Sequence, residues 1–200
     1  CDRDAHVCSR AKRHAQKALH QYIEEETINY LIETLKNETV NALEKELYLD
    51  PKFGLVTPSS KGCHEDMDYE TFKASIEALK PYFTKFLQVG LNSDKAEHVL
   101  RPIGLDAEQA MLKATHDINT HKGIIFLFGI ILPFYLEGLL NAQSFKETMQ
   151  KIKVFASNLT KHDFDQINHK EHLSHGEKVY QTYGIKGIRG EISEGFPSIF

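Results

Sequence analysis

Cysteine is scarce: Cys1, Cys8 and Cys63 are the only three in 200 residues. They make no even disulfide framework, and a chain this long with 41% hydrophobic residues has core enough not to need one, so the expected setting is a reducing cytosol. Net charge is slight as well, −4 with a pI near 6.3, which excludes a general attraction to nucleic acid or anionic lipid. Any binding of phosphate must come from local groups. No apolar run reaches bilayer length: the longest, Gly123 to Leu136, is interrupted by Pro133 and followed by Glu137, and it reads as a core helix rather than a membrane anchor. Internal repeats, low-complexity tracts and the alternation of strands are all missing. There is no basic-then-apolar leader, and an opening at Cys1 rather than Met reads as a cut through a longer polypeptide.

What is present is helical period. From Arg10 to Leu49 the chain is rich in Ala, Glu, Lys and Leu, and Ile28, Leu31, Ile32, Leu35, Leu43 and Leu47 recur at helical spacing, predicting one long helix or two end to end. Asp50-Pro51 and Gly54 stop that pattern, and Thr57-Pro58-Ser59-Ser60-Lys61-Gly62 predicts a long loop. Asp68 is placed to cap a helix bearing Phe72, Ile76, Leu79, Phe83 and Phe86, with Pro81 marking a kink or a fresh start. A further helix is expected from near Ser93 past Met111, with a break at Pro102-Ile103-Gly104. Ser144-Phe145-Lys146-Glu147 is a capping-box pattern opening an amphipathic helix through Leu159. Gly184, Gly187, Gly190 and Gly195 argue for a terminal loop that lets backbone approach a ligand. The expected architecture is all-α: one single-core, multi-helix domain with its site formed by loops at helix ends.

Two polar clusters stand out against this background. Asn119-Thr120-His121-Lys122-Gly123 joins directly to the apolar run from Ile124 to Phe134. A buried helix does not need such residues at its mouth, whereas an anionic ligand is favoured by the unpaired N–H groups of a helix start, a cation and an imidazole. The second cluster runs from Pro51-Lys52-Phe53-Gly54-Leu55-Val56 to His64-Glu65-Asp66-Met67-Asp68. Two clusters of this density predict one shared pocket.

Pro51-Lys52-x-Gly54-Leu55-Val56, Gly62-x-His64-x-Asp66-Met67, Gly104-x-x-Ala107-Glu108-x-x-Met111, Asn119-Thr120-His121-Lys122-Gly123-x-x-Phe126 and Gly187-x-Arg189-Gly190-Glu191-x-x-x-Gly195-Phe196-Pro197 together resemble the triphosphoribosyl-dephospho-CoA synthases, or ATP:dephospho-CoA triphosphoribosyl transferases. The resemblance covers roughly residues 25 to 200, and family members continue past the Phe-Pro. They usually carry Pro where this chain has Phe53, a departure that touches loop rigidity rather than chemistry. Residues 1–14, Cys1 to His14, are similar to the tail of the apo-citrate lyase phosphoribosyl-dephospho-CoA transferases. The implied organisation is a fused, multifunctional protein, with residues 1–22 the tail of an upstream domain and 23–200 the synthase domain, truncated at its carboxyl end.

The resemblance implies a cytoplasmic, magnesium-dependent pentosyltransferase in which the 2'-hydroxyl of 3'-dephospho-CoA attacks C1 of the ATP ribose and expels adenine, making the citrate lyase prosthetic-group precursor. It implies ATP and 3'-dephospho-CoA as ligands, the citrate lyase acyl carrier protein as a partner through the upstream domain, and neither nucleic acid nor membrane. An oxocarbenium-like state calls for a carboxylate near the sugar, a base for the hydroxyl and a donor for the purine. On this basis Lys52, Lys122 and Arg189 are expected to hold the triphosphate, with Gly54, Asn119, Thr120, Gly123 and His175 also binding substrate. Asp66, with Asp68 or Glu108, is expected to hold Mg²⁺. His64 or Glu191 is the expected proton acceptor and His121 the expected donor to adenine.

Plainer readings stand beside these. Asp66 or Asp68 as a helix cap, Glu46 as solvated helix surface, His162, His169 and His172 as surface histidines, Cys1 and Cys8 as remnants of an upstream zinc site, and Cys63 as a small buried thiol need no substrate. Glu108 has no partner three or four residues away on its helix. The rival functions are the malonate decarboxylase counterpart within the family, an all-α metal-dependent phosphohydrolase, and a non-enzymatic helical scaffold for citrate lyase.

Overall fold

The computed structural model describes residues 5–12, 14–165, 173 and 175–200, with only the backbone described at 5, 162–165 and 175. The elements are α1 (Ala5–Arg10), α2 (Gln16–Tyr48), α3 (Tyr69–Val89), a 3₁₀ segment (Gly90–Lys95), α4 (Ala96–Ala114), α5 (Lys122–Leu140), α6 (Phe145–Asp165), α7 (His175–Tyr183) and α8 (Gly187–Glu194). No strand occurs among the described residues, and the fold is all-α as expected.

The apolar stripes fall where the periods put them. Leu43 and Leu47 of α2, and Ile76, Leu79, Phe83 and Phe86 of α3, are buried. α3 packs against α2, α4 and α5, while α5 also meets the 3₁₀ segment, α6 and α8. α3 and α5 are therefore the centre of the molecule. By length and composition α5 is apolar enough to cross a bilayer. Ile125, Ile130, Leu132, Phe134 and Leu136 are instead buried among its neighbours, which makes it the core helix anticipated.

Both expected caps form. Asp68 Oδ1 accepts from the Thr71 backbone N–H at 3.0 Å while the Asp68 N–H donates to Thr71 Oγ1, a reciprocal box. The Ser144 N–H donates to Glu147 Oε2 at 2.8 Å, and the Glu147 N–H returns to Ser144 Oγ at 3.3 Å.

Three expectations are corrected. Pro81 starts no fresh helix and Pro102 does not break its own: α3 and α4 run through both. Each proline removes one ladder hydrogen bond, and the burial of Leu79 and Phe83 around Pro81, and of Leu100 and Ala107 around Pro102, outweighs that loss. The glycine-rich terminus is not a continuous loop, because α7 and α8 form within it. Fully buried Ile192 ties α8, which packs on α6, into the core, and Gly195 at φ 85° closes α8 with a left-handed cap. Cys63 is exposed rather than buried. α2 also runs unbroken across the expected boundary at residues 22 and 23. Cys1, His169 and His172 lie outside the described residues, as do the side chains of His162 and His175.

Candidate functional site

A cavity of about 360 Å³ lies between α4, α5, α6, α7 and the start of α8. α4 presents Glu97, Arg101, Gly104, Leu105 and Glu108 to it, one face at helical spacing. α5 presents Lys122, Gly123, Ile125, Phe126, Gly129 and Ile130. Phe155 and Leu159 come from α6, Gly176, Glu177 and Tyr180 from α7, and Lys186, Gly187, Ile188 and Arg189 from the α8 start. Phe86 of α3 and Leu100 complete an apolar lining. Charged groups converging on an apolar concavity make the usual form of a small-molecule site.

Lys122, Arg189 and Lys186 are each held by a carboxylate. Lys122 Nζ lies 2.5 Å from Glu108 Oε1, so the carboxylate that lacks a partner on its own helix finds one on the next. The Arg189 guanidinium is 3.7 Å from Glu177 Oε1 and stacks over Phe126 at 5.5 Å. Glu177 is buried, its side chain 7% exposed. Lys186 pairs with Glu194 at 2.8 Å, and that carboxylate holds the ammonium pKa above its usual value. A polyphosphate entering here would exchange carboxylate partners for phosphate oxygens, with Arg189 offering a planar fork.

The turn at 119–123 opens α5 at the cavity edge. Asn119 Oδ1 accepts from the Lys122 N–H at 3.3 Å, and the His121 N–H donates to Met111 Sδ at 3.2 Å. The amides of Gly123 and Ile124, in the first turn, have no acceptor within α5 and add the positive end of its dipole. His121 itself is 6% exposed and is not among the residues facing the cavity. Its Nδ1 lies 2.7 Å from Ser75 Oγ, Phe72 packs edge-on against its ring, and burial pushes its pKa down to about 4.

The two polar clusters do not share this cavity. Asn119, Lys122, Gly123, Glu108 and Arg189 line it; Lys52, Gly54, His64, Asp66, Asp68, Thr120, His121 and Glu191 do not. Lys52 Nζ folds back on the C-terminal turn of α2, donating to the Glu46 carbonyl at 2.7 Å and to Glu46 Oε1 at 2.8 Å. Gly54 and Gly62 bring two loop backbones together, and a Cβ at Gly62 would sit 2.5 Å from the Gly54 oxygen. Asp66 is exposed, and Asp68 is the cap of α3, its pKa lowered by the bonds from Thr71. Glu191 accepts from the Ser198 hydroxyl at 2.6 Å and so ties down the terminal turn. Among the described residues no group of three or more His, Cys, Asp or Glu could hold a metal ion, so Asp66, Asp68 and Glu108 form no such cluster. Glu97, Arg101, Glu177, Tyr180 and Lys186 were not singled out in the sequence. Glu97, Arg101 and Glu108 at i, i+4 and i+11 were the available signal for α4.

Fold and cavity define an all-α domain with a concavity lined by apolar side chains, cations and carboxylates. The sequence profile of the ATP:dephospho-CoA triphosphoribosyl transferase family matches residues 32–200, and the chain belongs to that family. It is 34% identical to the 2-(5''-triphosphoribosyl)-3'-dephosphocoenzyme-A synthase of Haemophilus ducreyi, over all of this chain and 68% of that protein. It is 38% identical to a probable synthase of the same name from Streptococcus equi subsp. zooepidemicus, over 80% of this chain and 60% of that one. Protein CitXG of Haemophilus influenzae is 35% identical over 98% of this chain and 45% of its own length. The chain thus spans between about half and two thirds of these relatives. No solved structure is recognisably similar.

Proposed function

We propose that this chain transfers the triphosphoribosyl group of ATP to the 2'-hydroxyl of 3'-dephospho-CoA. The hydroxyl oxygen bonds to C1 of the ribose, the bond from C1 to adenine breaks, and adenine leaves with the electron pair and a proton while the triphosphate stays intact. The observation that carries the reading is the convergence of Lys122, Arg189, Arg101 and Lys186 with the α5 start on one apolar-floored cavity. The cations and first-turn amides grip the phosphates, and the aromatic floor receives the base. Glu177, buried beside Arg189, is the carboxylate placed to face positive charge developing on the sugar.

Mg²⁺ commonly binds through one or two carboxylates plus substrate phosphates, so the lack of a three-residue cluster among the described residues is compatible with it. Glu108 and Glu97 are the cavity carboxylates that would hold it, Glu108 being released as Lys122 turns to phosphate. When bound it would offset phosphate charge. Asp66, Asp68 and Lys52 take no part in this arrangement, and the product would serve as the citrate lyase prosthetic-group precursor, with the acyl carrier protein as a partner of the fused form.

The test is incubation with ATP, Mg²⁺ and dephospho-CoA followed by chromatography. Free adenine in proportion to consumed dephospho-CoA supports the reading; inorganic phosphate without adenine replaces it with a phosphohydrolase.

A further inference from the structure

Behind the cavity wall, three side chains from two elements form a hydrogen-bonded chain. Thr120 Oγ1 donates to Ser75 Oγ at 2.8 Å, and Ser75 Oγ lies 2.7 Å from His121 Nδ1. A serine hydroxyl has one proton. With its oxygen accepting from Thr120, His121 Nδ1 is the one acceptor among the described residues within reach of that proton, and the arrangement that satisfies the buried hydroxyl has Nδ1 accepting and the ring proton on Nε2. Ser75 is fully buried on α3, a helix that gives the cavity only Phe86. The ring is further fixed by Phe72, centroid to centroid 5.0 Å at 75°, and the His121 backbone by Met111. The neighbours of this clamped residue, Asn119, Lys122 and Gly123, are the ones that face the cavity.

We infer that Ser75 is a positioning residue for the ligand site: its hydroxyl selects the Nε2–H form of His121 and thereby sets the turn 119–123 that grips the phosphates. The inference rests on the nucleotide reading above for its ligand, and on hydrogen-bond geometry alone for its tautomer. A serine that merely filled space would leave the imidazole form and the turn indifferent to its hydroxyl. Here removal leaves a buried nitrogen acceptor without its donor, directly beside the turn.

The experiment uses the full chain labelled with ¹⁵N-histidine at pH 7.5 and two readouts, the long-range ¹H–¹⁵N pattern of His121 and ATP affinity by calorimetry. Wild type should show an unprotonated Nδ1 and a protonated Nε2. Ser75→Ala should give mixed tautomers and weaken ATP about tenfold, the loss of roughly one hydrogen bond's worth of order. Thr120→Val, at a half-buried position whose change leaves the core filled, should move both readouts in the same direction by about threefold in affinity, and Thr120→Ser should restore them. If Ser75→Ala does not fold, the Thr120 pair decides. A wild-type Nδ1–H form, or unchanged tautomer and affinity in the variants, overturns the inference. If the tautomer behaves as stated but wild type binds no ATP, the nucleotide reading fails and the clamp survives it.

Discussion

At the scale of residues, the site is a set of charges held in place by one another. Replacing Lys122 or Arg189 by Ala removes a group able to make charge-assisted bonds to phosphate, each worth about 1.5–3 kcal/mol, so ATP affinity should fall by roughly 10- to 100-fold per substitution. Lys122 is well exposed, so the thermal melting of Lys122→Ala should stay near wild type, whereas Arg189→Ala takes a charge partner from buried Glu177 and should melt lower, with circular dichroism unchanged below the transition. Arg189→Lys should recover only part of the loss, since a point charge replaces a fork. Calorimetric titration with ATP checks all three.

His121 gives a pH signature. Its pKa is 6.5 when exposed and about 4 in the fold, so the folded protein favours the neutral ring. Stability from this group is complete above pH 6.5, declines as pH falls toward 4, and is constant below that. At about 1.4 kcal/mol per pH unit the loss is of order 3 kcal/mol. Urea unfolding between pH 7.5 and 4 should therefore be steeper in pH for wild type than for His121→Gln, with the effects of carboxylates common to both. Parallel curves would contradict the burial of a neutral imidazole.

At the scale of elements, close helix contacts set which small residues are replaceable. A Cβ on Gly138 of α5 would lie 2.3 Å from Thr148 Oγ1 of α6, a stiff and buried side chain. The helix-propensity gain of Gly→Ala, about 1 kcal/mol, is outweighed by overpacking of about 1–3 kcal/mol. Gly104 of α4 has nothing within 4 Å of such a Cβ. Gly138→Ala should lower the urea midpoint and Gly104→Ala should raise it. Elements were the most legible level of the sequence. The spacing of Phe72, Ile76, Leu79, Phe83 and Phe86 announced α3, and Ser144 with Glu147 announced α6, because period and caps are local signals. Pro81, Pro102 and the terminal glycines misled for the converse reason: their cost is local, while the burial of Phe83, Leu100 and Ile192 that overrides it comes from other helices.

At the scale of the whole molecule, the cavity joins residues as far apart in sequence as Glu97 and Arg189, through the packing of α4 on α5 and of α8 on α5 and α6. Lys122 and Arg189 were legible because each sits in a polar motif beside glycine. Arg101 and Lys186 were not, since an isolated cation in a helical stretch looks like any solvated position until its neighbours are known. The pairing of the two polar clusters failed for the same reason. Lys52 is satisfied by Glu46, Asp68 by Thr71 and Glu191 by Ser198, partners that no spacing rule singles out.

In the proposed reaction the α4–α5–α8 cavity, and not the loop before α3, grips the triphosphate of ATP. The most direct measurement is competition: calorimetric binding of ATP to wild type, Lys122→Ala and Lys52→Ala, with and without inorganic triphosphate. Triphosphate should displace ATP, Lys122→Ala should weaken both ligands together, and Lys52→Ala should leave both unchanged. Loss of ATP binding in Lys52→Ala with full binding in Lys122→Ala would contradict that assignment.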